Sequence, residues 1–419
     1  MTFSPDESYA LELDADDKLA VFRSRFHIPT DGEGRELIYF VGHSLGLQPH
    51  SVRAAIEAEL SAWANLGVDA HFRGSLPWTQ YGEALAPLLA PVVGANENEV
   101  ILMNALTVNL HHMMISFYRP GATRFKILME EHAFPSDRYA VASQCVLHGY
   151  DPASTIITVR ARPGEHTLRD EDIESVIQER GSEIALVLLG GVNYYTGQLF
   201  DLERIARAGR DAGCVVGFDL AHAAGNVELK LHDWDVDFAV WCCYKYLNSG
   251  PGSLSGCFVH ERHFADHDIP RLKGWWGEGL SKRFQMHGSF EPMHGAGGWQ
   301  ISNPNVLSLA SIRASLALFH EAGLDELRQK QRRLTSYVEY LLDHHLRREI
   351  EILTPADAVR RGSQLSLIVH DDGRAAFDRL RENGVVCDWR NPNVIRVAPV
   401  PLYNTFHEVW RFVNLLMQK

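Results

Sequence analysis

Two residues that could carry covalent chemistry each accompany a short apolar run. Asp219 lies near the end of the run at 214–220, and Lys245 follows the run at 238–243. A desolvated lysine can form a Schiff base, and a carboxylate can keep a pyridine nitrogen protonated. The pair therefore fits pyridoxal phosphate (PLP), with an Asp–pyridinium ion pair of about 4 kcal/mol at an effective dielectric of about 20. Alone, the aspartate would be explained as a helix N-cap and the lysine as a surface charge.

Two further segments could complete a site for this cofactor. The segment 104–109 follows an apolar strand and begins a helix, where free N–H groups and the helix dipole favour a phosphate. Thr107 could add a hydroxyl group there. Phe134 follows the apolar run at 126–129 and could stack on the pyridine ring, a contact worth about 0.5–1.5 kcal/mol beyond area burial. Without the lysine and the aspartate, a plain helix cap and a core ring would explain both segments.

Other kinds of site lack support in the sequence. The adjacent pairs His111–His112 and His344–His345 point to different faces of a helix and cannot easily share one metal ion. There is no H-E-x-x-H motif or P-loop, and no suitable G-x-G-x-x-G follows a strand. We therefore expect no metal site and no phosphoryl-transfer or nicotinamide chemistry.

The composition is that of a globular protein without nucleic-acid or membrane partners. Of the 419 residues, 46% are hydrophobic and 22% charged, so disorder is not expected. The net charge of −13 disfavours binding to phosphate backbones. Acidic residues near the N-terminus argue against a signal peptide, and the longest apolar run, 184–192, is too short to cross a bilayer. With six cysteines and no C-x-x-C pair, we expect a reduced, cytoplasmic protein.

The elements that must position the candidate residues alternate along the chain. Between about 98 and 260, short apolar runs alternate with amphipathic ones, which is typical of a mostly parallel sheet covered by helices on both faces. Helices are predicted at 51–66 and 78–89, and again through much of 306–348. The predicted organisation is an N-terminal segment (1–50) packing with the small domain, a large cofactor-binding domain (51–305) and a small α+β C-terminal domain (306–419).

With these motifs, the sequence resembles the kynureninases, a family of fold-type-I PLP enzymes in the aspartate aminotransferase superfamily. The resemblance extends from about Tyr39 to Asn414 and implies an α/β fold, in which a mostly parallel seven-stranded sheet lies between helices. The stretches that carry it are 40–49 (FVGHSLGLQP), 103–110, 133–137 (AFPSD), 196–198 (TGQ), 217–229, 237–250, 274–277 (GWWG), 301–304 (ISNP) and 390–406.

The resemblance implies an activity and an assembly. The reaction would be PLP-dependent hydrolysis of L-kynurenine, 3-hydroxy-L-kynurenine or both, to anthranilate or 3-hydroxyanthranilate and L-alanine. Its setting would be tryptophan degradation and the supply of NAD precursors. The enzyme would be a homodimer whose subunits share their active sites.

The resemblance also implies roles for individual residues. Lys245 would form the Schiff base, Asp219 would pair with the pyridine nitrogen, and Tyr244 would act as an acid–base group. The cofactor contacts would be Leu106, Thr107, Phe134, Asp137, Asp219, His222, Tyr244 and Lys245, with Trp275 and Asn303 reaching over from the other subunit. The substrate contacts would be His71, Trp276, Asn303 and Arg396, the last as the clamp for the α-carboxylate.

The sequence departs from the family pattern at four places. His43 stands where the family usually has Asn, Gly190 where it has a hydroxyl residue, Asn193 where it has His, and Glu278-Gly279 where it has His-Glu. Because the cofactor set is intact, these changes are expected to alter substrate preference or rate. Two alternatives stay open: a PLP-dependent hydrolase or lyase that acts on a modified kynurenine in a biosynthetic pathway, and a non-catalytic relative that keeps the fold.

Overall fold

The computed structural model describes residues 3–286 and 288–418, and its largest element is a seven-stranded sheet. The strands are β1 (Ile38–Tyr39), β2 (Val100–Met103), β3 (Lys126–Glu130), β4 (Ile156–Val159), β5 (Ile184–Gly190), β6 (Val215–Asp219), β7 (Phe238–Cys242), β8 (Ser255–Val259), β9 (Ile350–Ile352), β10 (Leu365–Val369), β11 (Val385–Val386), β12 (Asp388–Arg390) and β13 (Val394–Val397). The large sheet has the order β2-β8-β7-β6-β5-β3-β4. Strand β8 is antiparallel to both neighbours and the other pairs are parallel. The predicted mostly parallel seven-stranded sheet is thus confirmed.

Strand β5 illustrates why the central strands are apolar throughout. Val187 and Leu189 belong to one buried cluster, whereas Leu186 and Leu188 belong to another. Helices cover both faces of the sheet, so successive side chains are buried on opposite sides. A continuous apolar run, rather than an alternating one, is therefore the expected pattern for such a strand.

Helices form the layers on both sides of the sheet and most of the C-terminal region. The α-helices are α1 (Glu7–Ala15), α2 (Ala20–Arg23), α3 (Ser51–Leu66), α4 (Ala86–Val93), α5 (Leu106–Phe117), α6 (Pro135–Leu147), α7 (Pro152–Thr155), α8 (Asp170–Arg180), α9 (Leu202–Asp211), α10 (Leu280–Arg283), α11 (Val306–Ala322), α12 (Leu324–Leu346), α13 (Gly373–Glu382) and α14 (Phe406–Met417). Short 3₁₀ helices lie at Gly67–His71, Trp78–Gln80, Glu83–Leu85, Glu97–Glu99, Glu261–His263, Trp275–Gly277, Ala296–Trp299 and Ala358–Arg360. Within the described ranges, no helix combines the length and apolar character that a bilayer crossing needs.

One predicted helix is wrong in extent. The helix expected at 78–89 is divided into two 3₁₀ turns, and a regular α-helix begins only at Ala86. Pro87 lacks the N–H that an interior helical residue must donate, but it is tolerated in the first turn. The proline therefore marks the beginning of α4 rather than its middle. The helix predicted at 51–66 is confirmed.

A second, smaller sheet organises the C-terminal region. Its order is β12-β13-β10-β9, and all its pairs are antiparallel. The N-terminal segment contacts this region, because β1 pairs in parallel with β11 and Leu13 shares a core with Phe406. Phe22 and Phe26 pack instead into the core of the large sheet. The domain boundaries at 50 and 305 remain predictions.

Candidate active site

A cavity of about 280 Å³ lies where β3, β5, β6 and β7 reach their carboxyl ends. Ligands of open α/β sheets bind at this edge. Eight residues that were assigned to the cofactor line it, namely Leu106, Thr107, Phe134, Asp137, Asp219, His222, Tyr244 and Lys245. The other lining residues are Ala105, Glu130, Ser136, Gly190, Val192, Tyr194 and Ala221.

Asp219 is the last residue of β6 and presents a buried carboxyl group to the cavity. Its side chain is held in place because Oδ1 accepts a hydrogen bond from Ala221 N at 2.7 Å. Burial raises the pKa of Asp219, and the positive charge of Lys245 opposes that rise. A buried carboxylate with one cationic neighbour favours a second cationic group, such as a protonated ring nitrogen.

Lys245 lies beyond the end of β7 and faces an aromatic ring across the cavity. Its Nζ lies 5.9 Å from the ring centroid of Phe134, whose side chain is 44% exposed and so is free to be covered by a ligand. The ring is supported by an edge-on contact with Tyr194, with centroids 5.2 Å apart. Burial raises the pKa of Tyr244, which keeps its phenol protonated at neutral pH.

The N-terminus of α5 also lines the cavity. The helix begins at Leu106, and its N-cap residue, Ala105, offers no side-chain acceptor to the first N–H groups. The hydroxyl groups of Thr107 and Ser136 lie 2.8 Å apart beside them. Uncapped N–H groups with two hydroxyl groups form a suitable site for a phosphate.

Two buried polar atoms in the cavity lack partners among the described residues. Asp137 Oδ1 and His222 Nδ1 are both enclosed without a hydrogen bond. Burial, followed by the charges of Asp219 and Glu130, raises the pKa of Asp137 well above its ordinary value. Burial and the positive charge of Lys245 lower the pKa of His222. An enclosed polar atom without a partner is costly, so both are natural contacts for a bound polar molecule.

Arg396 does not line this cavity, and its guanidinium group is engaged by Asp388. Both Nε, at 2.9 Å, and Nη2 donate to the Asp388 carboxylate, and Nη1 donates to Tyr194 O at 2.6 Å. His43 Nε2 lies 3.5 Å from the same carboxylate. The sequence reasoning missed Asp388, whose relation to Arg396 follows from their pairing across β12 and β13.

Three other residues assigned to the site form a separate aromatic cluster. The ring of Trp275 lies 5.9 Å from that of Trp276 and 5.4 Å from that of Phe284. Phe284 in turn contacts Phe72 at 5.2 Å, and Phe72 contacts His71 at 6.3 Å. His71, Trp275 and Trp276 do not line the cavity of their own chain. The same holds for Asn303, which is exposed.

Three residues with polar side chains that line the cavity were not among the predicted site residues, namely Glu130, Ser136 and Tyr194. For Glu130 a signal was present, since it ends an apolar strand just as Asp219 does. Tyr194 lies in an irregular segment, and nothing in its spacing indicated that it would meet Phe134.

One group of possible metal ligands lies elsewhere, at Glu99, His232 and His260, whose ligand atoms lie within 4.8 Å of one another. The two imidazole rings stack 5.0 Å apart with an interplanar angle of 13°. One ion therefore cannot lie in both ring planes, as imidazole coordination requires. Glu99 Oε1 already accepts from Glu261 N, and His260 Nδ1 from Arg262 N. We interpret the group as a structural hydrogen-bond network.

Comparison with solved structures identifies the fold. A cysteine desulfurase from Thermococcus onnurineus superposes with a TM-score of 0.74 at 17% identity, over 91% of this chain and 94% of that one. A C-DES variant with glycine covalently linked to its PLP cofactor gives 0.76 at 17% identity, over 91% and 96%. This is the fold of the fold-type-I PLP enzymes.

Comparison of sequences identifies the family. The model of the kynureninase C-terminal domain matches residues 327–416. The chain is 54% identical to a kynureninase of Koribacter versatilis over 412 residues, which covers 98% of this chain and 97% of the relative. It is 49% identical to a kynureninase of Mus musculus, with coverage of 98% and 92%. Such identity over nearly the full length, together with the cavity described above, shows that the chain belongs to the kynureninase family.

Proposed function

We propose that this protein hydrolyses L-kynurenine to anthranilate and L-alanine with PLP as its cofactor, and accepts 3-hydroxy-L-kynurenine in the same site. The observation that carries the proposal is that Lys245, Asp219 and an uncapped helix N-terminus line the same cavity. The relatives named kynureninase, which cover almost the whole chain, support the same substrate.

The residues of the cavity fit PLP from end to end. The N–H groups at Leu106 and the hydroxyl groups of Thr107 and Ser136 suit the phosphate, and Phe134 suits the face of the ring. Asp219 suits the pyridine nitrogen, and the unpartnered Asp137 and His222 offer polar contacts along the ring. When bound, PLP would supply an electron sink for the negative charge that develops at the substrate α-carbon.

The residues around the reacting atoms have complementary roles in this proposal. Lys245 Nζ would hold the cofactor and, as a free amine, could take the proton from the substrate α-carbon. Tyr244 keeps its proton at neutral pH and can donate it to an oxygen or carbon atom of the cleaved side chain. Asp219 would keep the pyridine nitrogen of bound PLP protonated, which would favour the negative charge that develops at the substrate α-carbon.

Arg396 is expected to bind the substrate α-carboxylate through the N–H groups that Asp388 and Tyr194 leave free. The change Arg396→Lys removes the planar fork but keeps the charge, so we expect KM for L-kynurenine to rise by about 30- to 100-fold, with a smaller fall in kcat. Steady-state kinetics measures both constants. Arg390→Lys is the matched control, because Arg390 also pairs with the carboxylate of Asp388 but from a more exposed position. Equal KM values for Arg396→Lys and the wild type would contradict this role.

We also propose that the active enzyme is a homodimer, in which His71, Trp275, Trp276 and Asn303 serve the cavity of the other subunit. These residues lie outside the cavity of their own chain. Two apolar rings in contact with them are exposed, namely Phe72 at 57% and Phe284 at 40%. Such a face is typical of a surface that a partner covers.

Complementation between two inactive variants tests this sharing of sites. A Lys245→Ala subunit paired with an Asn303→Ala subunit would form one doubly defective site and one intact site. About half of randomly mixed dimers are hybrid, and each hybrid has one intact site out of two. We therefore expect recovery of about one quarter of wild-type activity. Activity is measured after denaturing and refolding the mixture, with each variant refolded alone as the control. No recovery, despite hybrid dimers seen by native mass spectrometry, would show that Asn303 acts in its own chain.

The reaction itself is tested by product analysis on purified protein supplied with PLP. Anthranilate and L-alanine in equal amounts from L-kynurenine would support the proposal, and a parallel assay would give the preference for the 3-hydroxy substrate. Bound PLP with neither product would favour the alternative of a modified kynurenine. We propose a cytoplasmic location, because all six cysteines are free and buried, as expected in a reducing compartment.

A further inference from the structure

A third carboxyl group, that of Glu130, lies at the same edge of the large sheet as Asp219 and lines the same cavity. Glu130, Gly190 and Asp219 are the last residues of the neighbouring strands β3, β5 and β6. Gly190 stands opposite Asp219 in the register of β5 and β6. The Glu130 carboxylate accepts a hydrogen bond from Gly190 N, with distances of 3.2 and 3.4 Å to its two oxygens. One backbone amide thus joins Glu130 to the strand beside Asp219.

The absence of a side chain at Gly190 leaves room for this carboxyl group. A Cβ atom at Gly190 would lie 3.1 Å from Glu130 Oε1, which is tighter than an ordinary contact. Glu130 is only 3% exposed, yet it lines the cavity. At the place where the family has a hydroxyl residue, this chain therefore presents a carboxyl group from the adjacent strand.

The surroundings of Glu130 are rich in negative charge. Burial raises the pKa of Glu130 to about 7; Asp219 adds to the rise, whereas the N–H of Gly190 and the charge of Arg138 oppose it. The charge of Glu130 in turn contributes to the raised pKa of Asp137, which Lys245 opposes. With the carboxyls of Asp219 and Asp137 already present, ionisation of Glu130 makes this end of the cavity a stronger site for a cation.

We propose that Glu130 is a positioning residue of the cofactor site, whose carboxylate lies at the same sheet edge as Asp219 and strengthens the binding of a protonated pyridine nitrogen. It contacts the Gly190 segment and acts on the cofactor through the charge of Asp219. The inference rests on the proposed function, because it requires PLP in this cavity. It adds a charged group that none of the sequence motifs indicated.

The test is the affinity of the cofactor-free protein for PLP at pH 6 and pH 8.5, followed by the quenching of tryptophan fluorescence. Glu130→Gln keeps the shape of the side chain but cannot ionise. We expect its Kd to exceed that of the wild type by about tenfold at pH 8.5, and by less than about twofold at pH 6, where Glu130 of the wild type is itself mostly protonated and uncharged. A deaza analogue of PLP, which lacks the ring nitrogen, should bind both proteins equally.

Two further variants separate this charge effect from a structural one. Glu131→Gln alters the next residue, which pairs with Arg160 at the surface, and should leave both Kd values unchanged. Glu130→Asp keeps the charge, so the ratio of its Kd for PLP at pH 6 to its Kd at pH 8.5 should equal that of the wild type, even if its overall affinity is lower. A Kd ratio for Glu130→Gln that is the same at both pH values, or a similar loss with the deaza analogue, would overturn the role of Glu130. Failure of the wild type to bind PLP would overturn the proposed function as well.

Discussion

Replacing Lys245 with alanine is expected to lower kcat for L-kynurenine by about 10³- to 10⁵-fold, the largest effect of any single change in this chain. The change removes both the amine that anchors the cofactor and the base for the α-proton. Lys245 is the lysine that lines the cavity, facing Phe134 and lying in the field of Asp219. The measurement is single-turnover and steady-state release of anthranilate.

The spectrum of the bound cofactor provides an independent readout for this variant. PLP should still bind to Lys245→Ala through the phosphate and ring contacts, but mild treatment should release it, because no covalent bond holds it. Lys18→Ala, at an exposed position, is the matched control and should keep both activity and the wild-type spectrum. Substantial turnover by Lys245→Ala would refute the assignment of this lysine.

The second largest effect is expected from Asp219→Asn. The amide keeps the size of the side chain and can still accept the hydrogen bond from Ala221 N, but it loses the charge that holds a proton on the pyridine nitrogen. The lost ion pair, about 4 kcal/mol at an effective dielectric of about 20, predicts a fall in kcat of roughly 10²- to 10³-fold. Kinetics with saturating PLP measures this loss separately from weaker binding.

The stability of the cofactor-free protein distinguishes this loss from misfolding. Folding raises the pKa of Asp219, mainly through burial, so its ionised form costs stability as the pH rises above the unfolded-state pKa. Removal of that charge should therefore leave Tm unchanged, or raise it, at pH 8. Asp211→Asn, outside the cavity, should alter neither quantity. A large fall in Tm together with kcat would contradict an electrostatic role for Asp219.

Much of the site could be predicted from strand ends. Asp219 and Lys245 were found because each accompanies an apolar run, and parallel strands carry their ligand-binding residues at one common edge. Thr107 and Phe134 were found by the same reasoning, and all four line the cavity. The local sequence suffices here, because strand direction and the burial of both faces determine where such residues must lie.

The chain by itself thus determined the order of strands and helices, the cofactor class and most of the cavity wall. Only the tertiary structure decided which charged side chains lie in contact with each other. Glu130 is a polar residue at a strand end in the sequence, and only the fold buries it and brings its carboxylate to the N–H of Gly190 in the neighbouring strand. The engagement of Arg396 by Asp388 likewise depends on the register of β12 and β13. Interactions of this kind join residues from different strands, so their strength is set by packing and desolvation rather than by local sequence.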